Sequence, residues 1–230
     1  MGSSSIKLNE GIIEDSELNQ NDISLLQASA SLCKLVTNKK IASGFLIKLF
    51  KDQDDFFCLM ANEHIIMEDM VAKKENLLFY FDNEQKSREI KLDIKERYIK
   101  SFRDINMDAI IMEILPKDNI PADYFLMPNI DYMDSQNELI NVEIAIFQYA
   151  SGKSSYSFGK LTSINNNYEF AHSATTVDDS GSPIFLKNTS KVIGIHKKEG
   201  TSQNYGDFIG PIFNYFRNYS KNNEKHDNKN

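Results

Sequence analysis

From about residue 25 onward, short apolar runs rich in β-branched and aromatic residues alternate with turn-like breaks. SLCKLVT (Ser31–Thr37), GFLIKLF (Gly44–Phe50), FFCLMA (Phe56–Ala61), LLFYF (Leu77–Phe81), EIKLDI (Glu89–Ile94) and AIIMEI (Ala109–Ile114) have the length and composition of strands. Alternation is cleanest in EIKLDI, where Ile90, Leu92 and Ile94 are expected to share one face. The stretch from Glu63 to Lys74 has the character of a short helix. From Pro116 to about Asn137 the rhythm breaks, with Pro116, Pro121 and Pro128 marking a linker. It resumes in VEIAIFQ (Val142–Gln148), GKLTSI (Gly159–Ile164), YEFAHS (Tyr168–Ser173), SPIFL (Ser182–Leu186) and KVIGIH (Lys191–His196). FIGPIFNYFRNY is expected to end in a short helix. Both chain ends are polar, apart from Ile12-Ile13, and are expected to be disordered.

Many short strands in two sets around a linker predict an all-β fold: two packed six-stranded antiparallel β-barrels with a short C-terminal helix. The expected divisions are a polar segment over 1–24, a first barrel over 25–116, a linker over 117–137, a second barrel with its helix over 138–218, and a tail over 219–230. With 230 residues and 41% hydrophobic content, the chain can bury a sizeable core.

Charge and cysteine content narrow the function classes. The net charge is -7 and no basic face is built, so no nucleic-acid partner is expected. No apolar run reaches membrane-spanning length, so no transmembrane segment is expected. The start, MGSSSIK, lacks the apolar stretch of a secretory signal, and Ile6 stands where an N-myristoylation motif wants Ser or Thr. Cys33 and Cys58 make no disulfide framework, and Cys58 reads as a small buried hydrophobe. Neither a CxxC pair nor an HExxH helix is present, so no metal and no cofactor are expected. Together these features point to an intracellular, reduced setting.

The sharpest chemical signal is TTVDDSGSPIF (Thr175–Phe185). A serine followed by Gly, a small residue, Pro and an apolar run reads as a nucleophile on a tight turn. The glycine lets the backbone fold back and expose Ser180, and amides before the serine can converge on a developing oxyanion. Taken alone, the same residues also make an ordinary hairpin turn. LMANEHII (Leu59–Ile66) puts His64 just after an apolar strand, and INMDAIIMEI (Ile105–Ile114) puts Asp108 just before one. A carboxylate at such a place can orient a histidine ring.

The order His64, Asp108, Ser180 is that of the chymotrypsin-type triad. Over roughly Ala30 to Arg217 the sequence resembles a trypsin-like serine protease. SGFLI (Ser43–Ile47) resembles the family's Gly-Ser-Gly-Phe strand, NEHII its histidine segment, MDAIIMEI its aspartate strand and DDSGSPIF its nucleophile turn. The resemblance implies a peptidase acting on protein or peptide substrates, with the backbone amides of Asp178 and Ser180 as oxyanion donors. VIGIHKKEG (Val192–Gly200) further resembles the Gly-Ile-His strand of glutamyl endopeptidases and of picornaviral-type proteases. That likeness implies that His196, helped by Thr175, lines the pocket for the residue before the cleaved bond. Glu or Gln would then be preferred there. His172 reads as a structural strand-end histidine, with a place at the border of this pocket as the alternative. Lys197 and Lys198 follow on the substrate-binding strand and would favour acidic substrates, or form a solvated pair.

Two positions depart from the family pattern. Asp178 stands where Gly is usual, which puts the oxyanion hole in question. Asp179 matches the residue that pairs with a newly cut N-terminal amine in zymogens, and Ile12-Ile13 after Gly11 faintly resembles such a start. Two other readings therefore stand beside the active enzyme: an inactive binding module on the same fold, and a latent protease switched on by a partner.

Overall fold

The computed structural model describes residues 6–8, 11–13, 30–37, 41–52, 54–81, 86–132, 135–150, 153–166, 168–175, 180–187, 189, 191–198, 200 and 203–219. A hairpin of β1 (Ile6–Leu8) and β2 (Gly11–Ile13) comes first, inside the segment expected to be disordered. The first half of the chain then supplies β3 (Leu32–Val36), β4 (Ile41–Lys51), β5 (Asp54–Ala61), α1 (Glu68–Ala72), β6 (Asn76–Phe81), β7 (Arg88–Lys91), β8 (Ile99–Ser101) and β9 (Ile110–Glu113). These strands form one antiparallel sheet in the order β7-β6-β3-β4-β5-β9-β8, curved into a half-barrel.

The second half supplies β10 (Met127–Pro128), β11 (Glu143–Ala150), β12 (Lys153–Ile164), β13 (Glu169–His172), β14 (Pro183–Leu186), β15 (Lys191–Lys198), β16 (Asn204–Phe208) and α2 (Gly210–Arg217). Six of them run β11-β14-β15-β16-β13-β12, and β12 pairs back with β11 to close a barrel. Closure leaves no open edge among those six strands. The all-β double-barrel architecture expected from the sequence is the one present, with α2 as its C-terminal helix.

The near-continuous apolar runs in β4, β5 and β11 follow from burial on both faces. Phe45, Ile47 and Leu49 of β4, with Phe56, Cys58 and Met60 of β5, enter a core shared with Ala145, Phe147 and Tyr149 of β11. The intervening Leu46 and Leu59 face the interior of the first sheet, and Ile144 and Ile146 face the interior of the second. The shared core joins the two halves. Helix α2 of the second half completes it by packing Phe213 and Phe216 against Phe50 and Phe56 of the first.

Where a linker is expected, the chain runs as a strap. Leu126 exchanges backbone hydrogen bonds with Leu46 and Lys48, while β10 pairs in parallel with β15 and Asn129 N–H donates to the Val192 carbonyl. Cys33 and Cys58 are both buried and form no disulfide, in line with the apolar run around Cys58. Ile94 departs from its expected face and is 67% exposed. The Asp93 carboxylate accepts from the Lys95 amide and pairs with Lys74, so the chain turns after Lys91 and the strand ends early.

Candidate active site

Three chain segments meet where the two halves join. The turn after β5 carries Asn62, Glu63 and His64; the approach to β9 carries Asp108; the turn before β14 carries Ser180. His64 and Asp108 are held together at two points. The His64 backbone N–H donates to Asp108 Oδ1 at 3.1 Å, and His64 Nδ1 lies 2.6 Å from Asp108 Oδ2. Both carboxylate oxygens are therefore committed to one residue, which fixes the imidazole plane as well as its position. The buried Asn62 side chain adds a bond from Nδ2 to the Asp108 carbonyl at 2.7 Å. Arg103 ties the same turn to the segment leading into Asp108, through a 2.7 Å bond to the buried Glu63 carboxylate. A cavity of about 330 Å³ opens beside that pair, lined by Glu63, Ile66, Ile99 and Arg103 among others.

Burial by itself would push the Asp108 carboxyl up. The hydrogen bonds and charge of His64, with Lys197 at longer range, outweigh burial and hold it below the usual carboxylate range. Asp108 is thus an anion across the neutral pH range, as an imidazole orienter must be.

The Ser180 turn is seated from both halves. The Ser180 carbonyl accepts from the Ser43 amide of β4, and the Gly181 amide donates to the His196 carbonyl of β15, each at 3.0 Å. Gly181 has φ +94°, and a Cβ there would sit 2.0 Å from the Ser43 carbonyl oxygen. Only glycine satisfies both the backbone angle and the close approach. Gly181→Ala is expected to destabilise the fold by at least about 1–3 kcal/mol, read as a lower midpoint in chemical denaturation. The Ser180 hydroxyl donates to the Lys197 carbonyl at 3.2 Å, so it is turned toward β15 rather than toward His64. Asp178 and Asp179 lie outside the described residues.

Around Ser180, the pocket candidates separate. His196 and His172 are buried, and His172 Nε2 lies 3.2 Å from His196 Nδ1. Burial lowers both rings, His172 to about 4 and His196 to about 3, with the His172 charge adding to the second. Both are neutral at neutral pH. His172 thus joins His196 directly, more closely than a bordering residue would. Thr175 is exposed on the strand-end side. Ile12 and Ile13 lie in β2, opposite β1.

Lys197 is not half of a solvated pair. Its ammonium lies 3.0 Å from Glu169 Oε2 and 3.4 Å from Asp207 Oδ1, while Lys198 is exposed. Asp207 is buried, and its Oδ2 accepts from the Asp108 backbone N–H at 2.9 Å. Asp207 sits in NYGDF, where a lone acid between Gly and Phe gives no local signal. Only the inward face of β16, unpredicted from the sequence, would have raised it.

No protein-family model matches the chain, and no curated protein matches its sequence. Solved structures do match. An inactive form of Rv3671c from M. tuberculosis H37Rv aligns at TM-score 0.57 and 16% identity, over 90% of this chain and 93% of its own. The serine protease of a human pathogenic astrovirus aligns at TM-score 0.55 and 13% identity, over 80% and 92%. A serine endoprotease from Yersinia pestis aligns at TM-score 0.61 and 10% identity, over 86% of this chain and 65% of that longer one. The chain has the chymotrypsin fold. In this chymotrypsin-fold chain, His64 and Asp108 come from the first half and Ser180 from the second, so the candidate site draws on both halves.

Among the described residues, no group of three or more His, Cys, Asp or Glu side chains is placed to hold a metal ion. No described helix is long and apolar enough to cross a membrane.

Proposed function

We propose that this protein is a serine endopeptidase. Ser180 Oγ attacks the scissile carbonyl, and His64 takes the hydroxyl proton and delivers it to the leaving amine. Asp108 holds the imidazole tautomer and supports the imidazolium. Water then releases the acyl group from Ser180. The Ser180 amide is one oxyanion donor, and the Asp178 amide is the other. The observation that carries the reading is the Asp108 carboxylate engaged by both the ring and the backbone N–H of His64, at 2.6 and 3.1 Å. A surface histidine beside a strand-capping aspartate has no need of that double engagement. Covalent labelling by a fluorophosphonate, lost in Ser180→Ala, is the test.

The 3.2 Å bond from Ser180 Oγ to the Lys197 carbonyl favours a second reading, a latent protease. In that reading a partner or substrate must release the hydroxyl toward His64. Labelling that is absent in the isolated chain but appears with a peptide substrate bound would select it.

For specificity we infer a preference for Gln over Glu before the cleaved bond at neutral pH. Two neutral rings share one proton in the His172–His196 contact. His172 Nδ1 has no partner among the described residues. A bare buried lone pair costs less than a bare buried N–H, so His172 Nε2 is the donor and His196 carries its own proton on Nε2. That N–H donates to a substrate amide oxygen without any change of charge. His196 is 1% exposed, so a substrate side chain reaches its ring only when neighbouring groups move aside. A Glu carboxylate would bind best with a proton taken up by the ring, which its burial opposes. The ratio of kcat/KM for Glu over Gln peptides is therefore expected to rise as pH falls from 8 to 5, by up to about tenfold per unit. Taking the ratio cancels the titrations that both substrates share. A ratio flat with pH would show that the ring takes up no proton when Glu binds, and His196→Ala with Glu/Gln selectivity unchanged would remove His196 from the pocket.

A further inference from the structure

Asp207 and Glu169 are direct cross-strand partners on β16 and β13. Like charges placed opposite one another in a sheet repel, and both of these are at least partly buried. Lys197 meets both of them. The β15–β16 register shifts between His196 and Lys198, so Lys197 is the extra residue of a bulge. A bulge re-aims the side chain it carries. Here it turns the ammonium inward, to 3.0 Å from Glu169 and 3.4 Å from Asp207. Burial pushes the Asp207 carboxyl up, and the cation works against that rise at the junction of the two halves, where Asp207 accepts from the Asp108 backbone N–H at 2.9 Å. The backbone carbonyl of the same Lys197 accepts from Ser180 Oγ at 3.2 Å.

We propose that Lys197 and Asp207 are positioning residues: a cation–carboxylate pair on the second barrel that holds Asp108 in register with His64 across the junction. Asp108 is fixed on the first-barrel side by Asn62, through its carbonyl, and on the second-barrel side by Asp207, through its N–H. Without Lys197, the Glu169 and Asp207 carboxylates face each other without the cation that meets both. Asp207 is then driven to protonate or withdraw, and the Asp108 peptide loses its acceptor. The His64 ring follows, because it is held only as well as Asp108 is.

The kinetic half of the test rests on the peptidase reading; the spectroscopic half does not. The variants are Lys197→Met, Lys197→Arg and Asp207→Asn, the last keeping the shape and one acceptor oxygen. With a Gln-containing peptide, Lys197→Met is expected to lower kcat roughly tenfold to a hundredfold with little change in KM, the scale of a small misplacement. Lys197→Arg is expected to recover most of the loss. In parallel, the downfield proton resonance of the His64 Nδ1–H bonded to Asp108 is followed by NMR. It is expected to shift or broaden in Lys197→Met and Asp207→Asn, and to return in Lys197→Arg. A chain without peptidase activity whose resonance still moves this way would sink the peptidase reading and keep the positioning pair. An active chain in which the variants change neither kcat nor the resonance would overturn the positioning pair and keep the peptidase. If Lys197→Met does not fold, Asp207→Asn decides: an unmoved resonance there overturns the proposal.

Discussion

Ser180→Ala is expected to abolish fluorophosphonate labelling and to lower kcat by on the order of 10⁶, the scale at which a triad loses its nucleophile. A serine hydroxyl is an ordinary alcohol until a base takes its proton. Phosphonylation of one serine in the native chain therefore reports a base within reach. In the proposed mechanism that base is His64, because its Nδ1 is engaged by Asp108 and its Nε2 is left to face the serine. The hydroxyl rests on the Lys197 carbonyl at 3.2 Å, and the proposed mechanism requires a side-chain rotation that redirects it to His64. Full labelling in the isolated chain would mean that this rotation is free. Labelling that requires a bound peptide would mean that the rest position is a latch. Labelling that survives Ser180→Ala would place the nucleophile elsewhere and end the triad reading.

The parts of the fold that could be read from the sequence are those that burial on two faces makes apolar. GFLIKLF and FFCLMA have no alternation because β4 and β5 pack against the interior of their own sheet and against the other half. Length and residue type identified them. The segments not foreseen are held by partners remote in sequence. KSSYSF, the first half of β12, is polar, and becomes strand through an unbroken register with β11 from Glu143↔Lys160 to Ala150↔Lys153. β8 has three residues and exists because β9 lies beside it. The β1–β2 hairpin is recruited in parallel by β12 at Leu8↔Tyr156. Ile94 misled because Asp93 ends the strand with a side-chain cap that periodicity does not register.

The site divides in the same way. His64, Asp108 and Ser180 stood out through their order and their places at strand ends. Their supports did not. Asn62 and Asp207 act through bonds to backbone atoms of Asp108, 46 and 99 residues away, and a backbone atom leaves no mark in the sequence. Lys197 was visible as a charge but not as a half-buried one. Its inward aim comes from a one-residue bulge, and a bulge is a property of how two strands pair.

Asp108→Asn tests the orienting role with the smallest change of shape, and kcat is expected to fall by about 10⁴ with KM nearly unchanged. The geometry gives the asparagine no good choice. With its oxygen toward the His64 backbone N–H, its amide nitrogen faces His64 Nδ1. The ring must then accept at Nδ1 and carry its proton on Nε2, where it has no lone pair to offer Ser180. With the amide flipped, two N–H donors meet at the 3.1 Å contact that now joins the His64 amide to Oδ1. Either arrangement also removes the negative charge that stabilises the imidazolium in the transition state. The Asn62 and Asp207 bonds use only backbone atoms of residue 108, so they survive the change and the fold should be kept. Nitrogen chemical shifts of the His64 ring would report the tautomer directly, with the proton expected to move from Nδ1 to Nε2. A loss of less than tenfold in kcat, with the native tautomer retained, would show that some other group orients the histidine. The doubly engaged carboxylate would then be architecture rather than catalysis.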